Sequence, residues 1–284
     1  MKLARFIHDG APAAIGVVRE DGIVPLDAGL APDGDMSRLI AGWPSLRAPV
    51  EARARSGSAV ALSAVRLLAP VAAPSKILAI GLNYADHIAE TGMQVPAEPL
   101  WFAKMPNAVN GPFDPVQVPK VSTQLDHEVE LVAVIGRGGR HISCEEAPSR
   151  VFGYCVGNDV SVRDWQLRTT QWVVGKSFDG HAPIGPWIVT ADELPDPHSL
   201  DIRCRVDGEL RQSSNTGRLV FDIWAQLAHL SQAMTLQAGD LLFTGTPGGV
   251  GVAERPPRWL RPGQRVRCEI DGIGSIENPV SGEE

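Results

Sequence analysis

Apolar and polar positions alternate in short runs along most of this chain. The first thirty residues contain LARFI, AAIGVV and IVPL, separated by Asp9–Gly10 and Asp21–Gly22. Asp-Gly between apolar runs is a hairpin signal, because both residues tolerate the positive φ of tight primed turns. Residues 36–56 space their apolar side chains at roughly helical period, and a Gly/Ser patch then leads into Leu67–Pro74, whose prolines mark a boundary. Beyond residue 75 strand signals dominate. KILAIGL, LVAVIG, VFGYCVG, PWIVT, LDIRCRV, DLLFTG and RVRCEI are rich in Val, Ile, Leu and aromatics and bounded by Gly, Pro or Asp. The clearest helical stripe is Leu219, Ile223, Leu227, Leu230 and Met234, within 219–235. A second helix is predicted to start at Ser161, with Asp164 completing a capping-box-like pair. Many strands with few, irregularly placed helices predict an α+β, β-rich fold, not a regularly alternating α/β sheet. The expected organisation is a small N-terminal β-rich unit over 1–70 and a larger domain over 71–284.

Composition narrows the class. The 284 residues are about twice the ~150-residue prior for one domain. A net charge of −7 argues against nucleic acid or an anionic membrane as partner, since both are captured by clustered positive charge. The cysteines at 144, 155, 204 and 268 include no CxxC pair, so no zinc knuckle or thioredoxin-type motif is written here. They read as reduced, mostly buried thiols. The N-terminus MKLARFIHDG meets charge and a turn before any signal-peptide apolar run, and Ser58–Leu82 is broken by Arg66, Pro70, Pro74 and Lys76. A soluble cytoplasmic protein is expected.

The segment Leu125–Ile135, LDHEVELVAVI, combines an apolar tail with three carboxylates at its entrance. On one strand, Asp126, Glu128 and Glu130 share a face with neighbours ~6.6–6.8 Å apart. At an effective dielectric near 20 two such charges repel by roughly 2–2.5 kcal/mol. Either the face is solvated, as on an exposed strand edge, or a cation sits there, and oxygen ligands select hard ions. Asp159, closing the run VFGYCVGND, is a further candidate ligand or an ordinary turn residue.

Other candidates surround this segment. His87 and Glu90 stand one turn apart if residues 83–90 are helical; they form either an ordinary polar helix face or, with the carboxylate behind the histidine, a general base. Arg163 and Gln166 share a helical face and can orient a carboxylate, or simply be solvated. The chain uses only five lysines against 21 arginines, and Lys176 sits between apolar WVV and the rigid PIGPW, as an enclosed positive charge would. TGTPGGVG, 244–251, is a strand end running into a glycine-rich loop, whose glycines let the backbone approach a ligand closely or make only a tight turn. Four look-alike motifs fail. HExxH lacks its second histidine at Leu131, a P-loop lacks its glycine at Thr170, GxSxG ends on Asp179, and a dinucleotide fingerprint ends on Glu254.

Taken together, KILAIGLNYADHIAE, LDHEVELVAVIG, GYCVGNDVSVRDWQ, GKSFDGHAPIGPW and TGTPGGVG resemble, in this order, the motifs of the fumarylacetoacetate hydrolase family over residues 75–280. The resemblance implies a mixed β-sandwich roll and a homodimer. It implies Mg²⁺ or Mn²⁺ (or Ca²⁺ in a crystal) on Glu128, Glu130 and Asp159, with Asp126 left out. It also implies His87 and Glu90 as the water-activating pair on a lid, Lys176 as a catalytic charge, and Arg163, Gln166 and Thr246 as substrate contacts. The expected activity is hydrolysis of a C–C bond in an acylpyruvate such as fumarylpyruvate or maleylpyruvate. A hydratase, isomerase, decarboxylase or ureidoglycolate-type lyase of a 2-oxo acid would use the same site. The non-enzymatic alternative is a β-module holding structural Ca²⁺.

Overall fold

The computed structural model describes residues 1–283. The opening strands Lys2–His8, Ala14–Arg19 and Gly22–Pro25 form the expected antiparallel meander. Ala11 N–H donates to His8 O at 3.0 Å, closing the turn through Asp9–Gly10. The second turn runs one residue earlier than the Asp-Gly pair implies, since Arg19 and Gly22 are already register partners. Two helices follow, Met36–Ala41 and Trp43–Ser56. Asp35 caps the first by accepting Ser37 N–H at 2.9 Å, which satisfies an otherwise orphaned amide.

Strand Lys2–His8 also pairs antiparallel with Ala182–Thr190, so the N-terminal meander is continuous with the main sheet. Across that sheet the order is Gly22–Pro25, Ala14–Arg19, Lys2–His8, Ala182–Thr190, Val151–Asn158, Val129–Ile135, Leu241–Phe243, Ile77–Gly81 and Leu100–Lys104. The pairing of Leu241–Phe243 with Ile77–Gly81 is parallel, which makes the sheet mixed. A five-stranded sheet, Glu209–Asn215, Asp201–Val206, Arg265–Ile270, Gly274–Gly282 and Val116–Val118, packs against one of its faces.

The strand Val129–Ile135 shows why its sequence is a nearly unbroken apolar run. Leu131, Ala133 and Ile135 join the core shared with the five-stranded sheet, whereas Val132 and Val134 join the core shared with the N-terminal segment. Both faces are covered, so no alternation with polar residues is needed. The architecture is the β-rich α+β sandwich expected, and no helix is long and apolar enough to cross a membrane.

Two local expectations are corrected. The stripe 219–235 yields a helix over Ile223–Ala233 only, capped by Asp222 Oδ1 accepting Ala225 N–H at 2.8 Å. Leu219 instead bridges to Tyr84. Ser161 does not cap a helix. Ser161–Val162 pairs with Leu125–Asp126, the Ser161 hydroxyl donates to Asp159 O at 2.9 Å, and Asp164 is engaged by Ser122. The helix that follows is the single turn Arg163–Gln166.

Candidate active site

The antiparallel register that places Val129 opposite Asn158 brings the acidic segment to the end of the neighbouring strand. Asp159 N–H donates to Glu128 O at 2.8 Å, and Glu128 N–H to Asn158 Oδ1 at 2.9 Å, which join the two chain segments directly. One ligand oxygen from each of Glu128, Glu130 and Asp159 then lies within 4.8 Å of the others, and all three residues are buried. That burial excludes a solvated strand edge decorated with acids.

Asp126 does not share their face, contrary to the single-strand reading. The strand is interrupted at His127–Glu128, because Leu125–Asp126 pairs with Ser161–Val162 instead. Asp126 accepts the N–H groups of His127, Gly251 and Val252 at 2.9, 2.8 and 3.0 Å, and Arg163 Nε at 2.8 Å.

Three buried cations surround the carboxylates. Lys176 Nζ is 2.6 Å from both Glu128 Oε2 and Asp159 Oδ2. Arg163 reaches Glu128 Oε1 with Nη2 at 2.6 Å and donates from Nη1 to Gln166 Oε1 at 2.9 Å. Lys104 Nζ lies 2.6 Å from Asp159 Oδ1 and 3.2 Å from Val160 O. Lys104 was not among the residues singled out. The available signal is a lysine closing the apolar run LWFAK in a chain that writes its surface with arginine. The single turns Arg163–Gln166 and Val173–Lys176 pack so tightly that a Cβ on Gly175 would sit 2.3 Å from Gln166 N. Glycine at 175 is thus what lets Lys176 and Gln166 reach one site.

The charges are unevenly matched. Burial alone would raise the Glu128 carboxyl, but Arg163 and Lys176 outweigh it and hold it down to about 2. Burial likewise opposes the Lys176 ammonium, yet Asp159 and Glu128 raise it above the usual lysine value. Burial lowers Lys104, with Asp159 only partly compensating. Glu130 is pushed well above the usual carboxylate range by burial, then by Asp159 and Glu128. Gly245 N–H donates to its Oε2 at 2.8 Å, and among the described residues no basic group pairs with it. Four buried carboxylates, 126, 128, 130 and 159, thus face three cations. One negative charge is left unmatched, and the all-carboxylate donor set of Glu128, Glu130 and Asp159 suits a hard cation such as Mg²⁺ or Mn²⁺.

His87 lies on the helix Ala85–Thr91, with Nδ1 3.3 Å from Glu90 Oε2, as the spacing predicts. Thr246 is brought in too, but its hydroxyl donates to Val129 O at 3.0 Å and accepts Gln212 Nε2 at 2.8 Å. Its main work is to anchor the glycine-rich loop. A cavity of about 150 Å³ is lined by His87, Glu128, Glu130, Gln166, Lys176 and Thr246, with Phe102 and Trp172 adding apolar surface.

Comparison with known proteins assigns the class. The family described as fumarylacetoacetate (FAA) hydrolase C-terminal matches residues 76–281. The chain belongs to the fumarylacetoacetate hydrolase family. Residues 1–70 match a second family, described as Rv2993c-like, N-terminal. A mitochondrial oxaloacetate tautomerase of Xenopus laevis is 43% identical over 287 residues, covering 99% of this chain and 90% of the relative. The structure of maleylpyruvate hydrolase from Sphingobium sp. SYK-6, in complex with manganese(II) and pyruvate, is 36% identical with a TM-score of 0.85, and 100% of each chain is covered. A 5-carboxymethyl-2-hydroxymuconate delta-isomerase structure from Mycobacterium smegmatis is 35% identical with a TM-score of 0.80, again over 100% of both chains. Members of this family are hydrolases, tautomerases and isomerases of small acids, so the chain has the scaffold of an enzyme.

Proposed function

We propose that this protein catalyses keto–enol chemistry at carbon 3 of a small 2-oxo acid, with oxaloacetate tautomerisation as the first reading. The observation that carries it is one cavity of about 150 Å³ faced by both His87 and the acidic cluster. That volume is below the ~300–1,000 Å³ of pockets for drug-sized ligands, and it suits a four-carbon acid. The likeness to oxaloacetate tautomerases supports the same choice.

Glu90 accepts from His87 Nδ1 when that nitrogen carries the proton, which leaves the Nε2 lone pair to act as the base. His87 takes the proton from carbon 3, electrons shift to the 2-oxygen, and the proton is returned there, so atoms and charge balance. Mg²⁺ or Mn²⁺ held by Glu128, Glu130 and Asp159 would supply Lewis-acid polarisation of the 2-oxo acid. Lys176 adds fixed positive charge beside the developing oxyanion. Arg163 can only donate, so Gln166 turns Oε1 towards it and keeps its Nε2 donors for a substrate oxygen. Arg163 itself is engaged by Asp126, Glu128 and Gln166, and acts by holding those groups, not as a free carboxylate clamp.

Hydrolysis of an acylpyruvate is the second reading, favoured by the likeness to maleylpyruvate hydrolase. Here His87 deprotonates water, which attacks the distal carbonyl. The C–C bond breaks, and its electron pair leaves with the pyruvate fragment, which then takes up a proton. The deciding experiment supplies Mn²⁺-loaded protein with enol-oxaloacetate and, separately, with maleylpyruvate and fumarylpyruvate. Faster decay of the enol absorbance without pyruvate release supports tautomerisation, and pyruvate release from the acylpyruvates supports hydrolysis. If neither change is seen, the proposal is overturned.

A further inference from the structure

The glycine-rich loop after strand Leu241–Phe243 gives its backbone N–H groups to the protein's own carboxylates. Gly245 donates to Glu130, Gly248 to Asp86 Oδ1 at 3.3 Å, Gly249 to Glu90 Oε1 at 2.9 Å, and Gly251 and Val252 to Asp126. The loop therefore touches both halves of the site, the acidic segment and the helix that carries His87. Gly249 has φ +99°, and a Cβ there would lie 2.0 Å from Arg211 O, so its N–H is aimed by an approach only glycine permits.

Asp126 in this set is paired structurally with Arg163, and Asp86 is the carboxylate whose bonds reach the helix of His87 without a part in the chemistry above. Its Oδ1 accepts His87 N–H at 2.8 Å as well as Gly248 N–H, and its Oδ2 accepts the Ser214 hydroxyl. Ser214 belongs to strand Glu209–Asn215 of the five-stranded sheet. Asp86 thus ties the helix to the loop and to the second sheet at once. The helix Ala85–Thr91 has seven residues, too short to be stable by itself, so its tertiary tethers decide where it stands. Ile88 packs inward, and Asn83 is bonded to Val220, Phe221 and Thr244, which anchors the helix entrance. Met93 and Val95 beyond the helix are exposed, so Asp86 adds the tie to the loop and the second sheet.

We propose that Asp86 is a positioning residue, which by bridging Gly248 N–H and the Ser214 hydroxyl holds His87 facing the Glu128–Glu130–Asp159 cluster. The kinetic half of this inference rests on His87 being the base, whereas the placement half does not. The test compares amide hydrogen exchange of residues 85–92, Mn²⁺ affinity and kinetics in Asp86→Ala, Asp86→Asn and Ser214→Ala. Loss of charge-assisted tethers predicts about tenfold faster exchange in Asp86→Ala and a few-fold change in Ser214→Ala. Mn²⁺ affinity stays within about twofold, because Asp86 touches no ligand residue. The kcat falls by about tenfold with KM changed less, the mark of a lost reactive alignment. Asp86→Asn keeps the acceptor for Gly248 and gives an intermediate result in both measurements. Unchanged exchange in the variants, or faster exchange with full kcat, overturns the proposal. If Asp86→Ala does not fold, Asp86→Asn and Ser214→Ala decide by the same criteria. If the wild type turns over no 2-oxo acid, faster exchange still upholds the tether, and only the functional reading falls.

Discussion

The two ends of the acidic segment are both buried, yet they are treated in opposite ways. Asp126 receives three backbone N–H groups and Arg163 Nε, and these hold its carboxyl below the usual range against the opposing effect of burial. Glu130, four residues on, receives one backbone N–H and no cationic partner among the described residues, and burial with its acidic neighbours pushes its carboxyl up. A buried carboxylate is tolerated when it is paired and hydrogen-bonded. Asp126 meets that condition from within the chain. Glu130 has only the one backbone N–H, and this unspent capacity is what the proposed metal would use.

The comparison breaks most visibly if Glu130 is removed. Glu130→Gln is expected to weaken Mn²⁺ binding by at least ~100-fold, with activity falling by about 10³-fold, the scale of losing several kcal/mol of charge stabilisation. Its stability without metal stays level or rises, because an uncompensated buried carboxyl is gone. Calorimetric Mn²⁺ titration and urea unfolding of the stripped protein check both parts. His87→Ala follows, with activity reduced ~10²-fold or more, the usual scale for a general base, and no change in metal affinity. Retained activity in that variant would remove His87 from the chemistry and leave only the carboxylate end of the site.

How much of this was legible in the sequence depends on the range of the cause. Strands such as KILAIGL and VFGYCVG were readable because both faces are covered and the apolar run is local. Short spacings made Glu128–Glu130 and His87–Glu90 readable as pairs, whereas their roles as ligands and base came from the family resemblance. Asp126 was misplaced for the opposite reason. Its partner strand, Ser161–Val162, lies far along the chain, and that pairing breaks the ribbon at His127–Glu128. Lys104 and Gln212 escaped notice because their roles arise only when Asp159 and Thr246 are folded against them. The glycine-rich loop left ligand approach and a tight turn equally open, because the carboxylates its amides serve lie far away along the chain.

Asp126 supplies the next test, since its charge is used structurally. Asp126→Asn leaves Arg163 with one buried partner fewer and is expected to cost about 3 kcal/mol in urea unfolding, the scale for breaking a buried pair. A loss as small as that of a surface substitution would mean that the two ends of the segment are not treated differently after all.

His181 sharpens the contrast with a group of the other sign. It is buried, stacks on Phe178 and has Nε2 2.9 Å from Gln117 O, and burial pushes its imidazole down to about 4. The folded protein keeps this ring neutral, whereas the unfolded chain protonates it near 6.5. As pH falls from 6.5 towards 4 the unfolded state binds the extra proton, so stability decreases, by about 3 kcal/mol over the full window. Above 6.5 the contribution is constant. Glu128, held at about 2, keeps its full contribution until pH drops below 4.5, so its loss begins only beneath most of the histidine window. His127 and His198 are also lowered by burial and add slope of the same sign, whereas Glu130, raised by burial, adds slope of the opposite sign above 4.5. His181→Gln should therefore flatten, not abolish, the fall in unfolding free energy between pH 6.5 and 4.5. An unchanged slope in urea titrations at these pH values would show that the ring is protonated in the folded state, and that burial here is compensated as it is at Asp126.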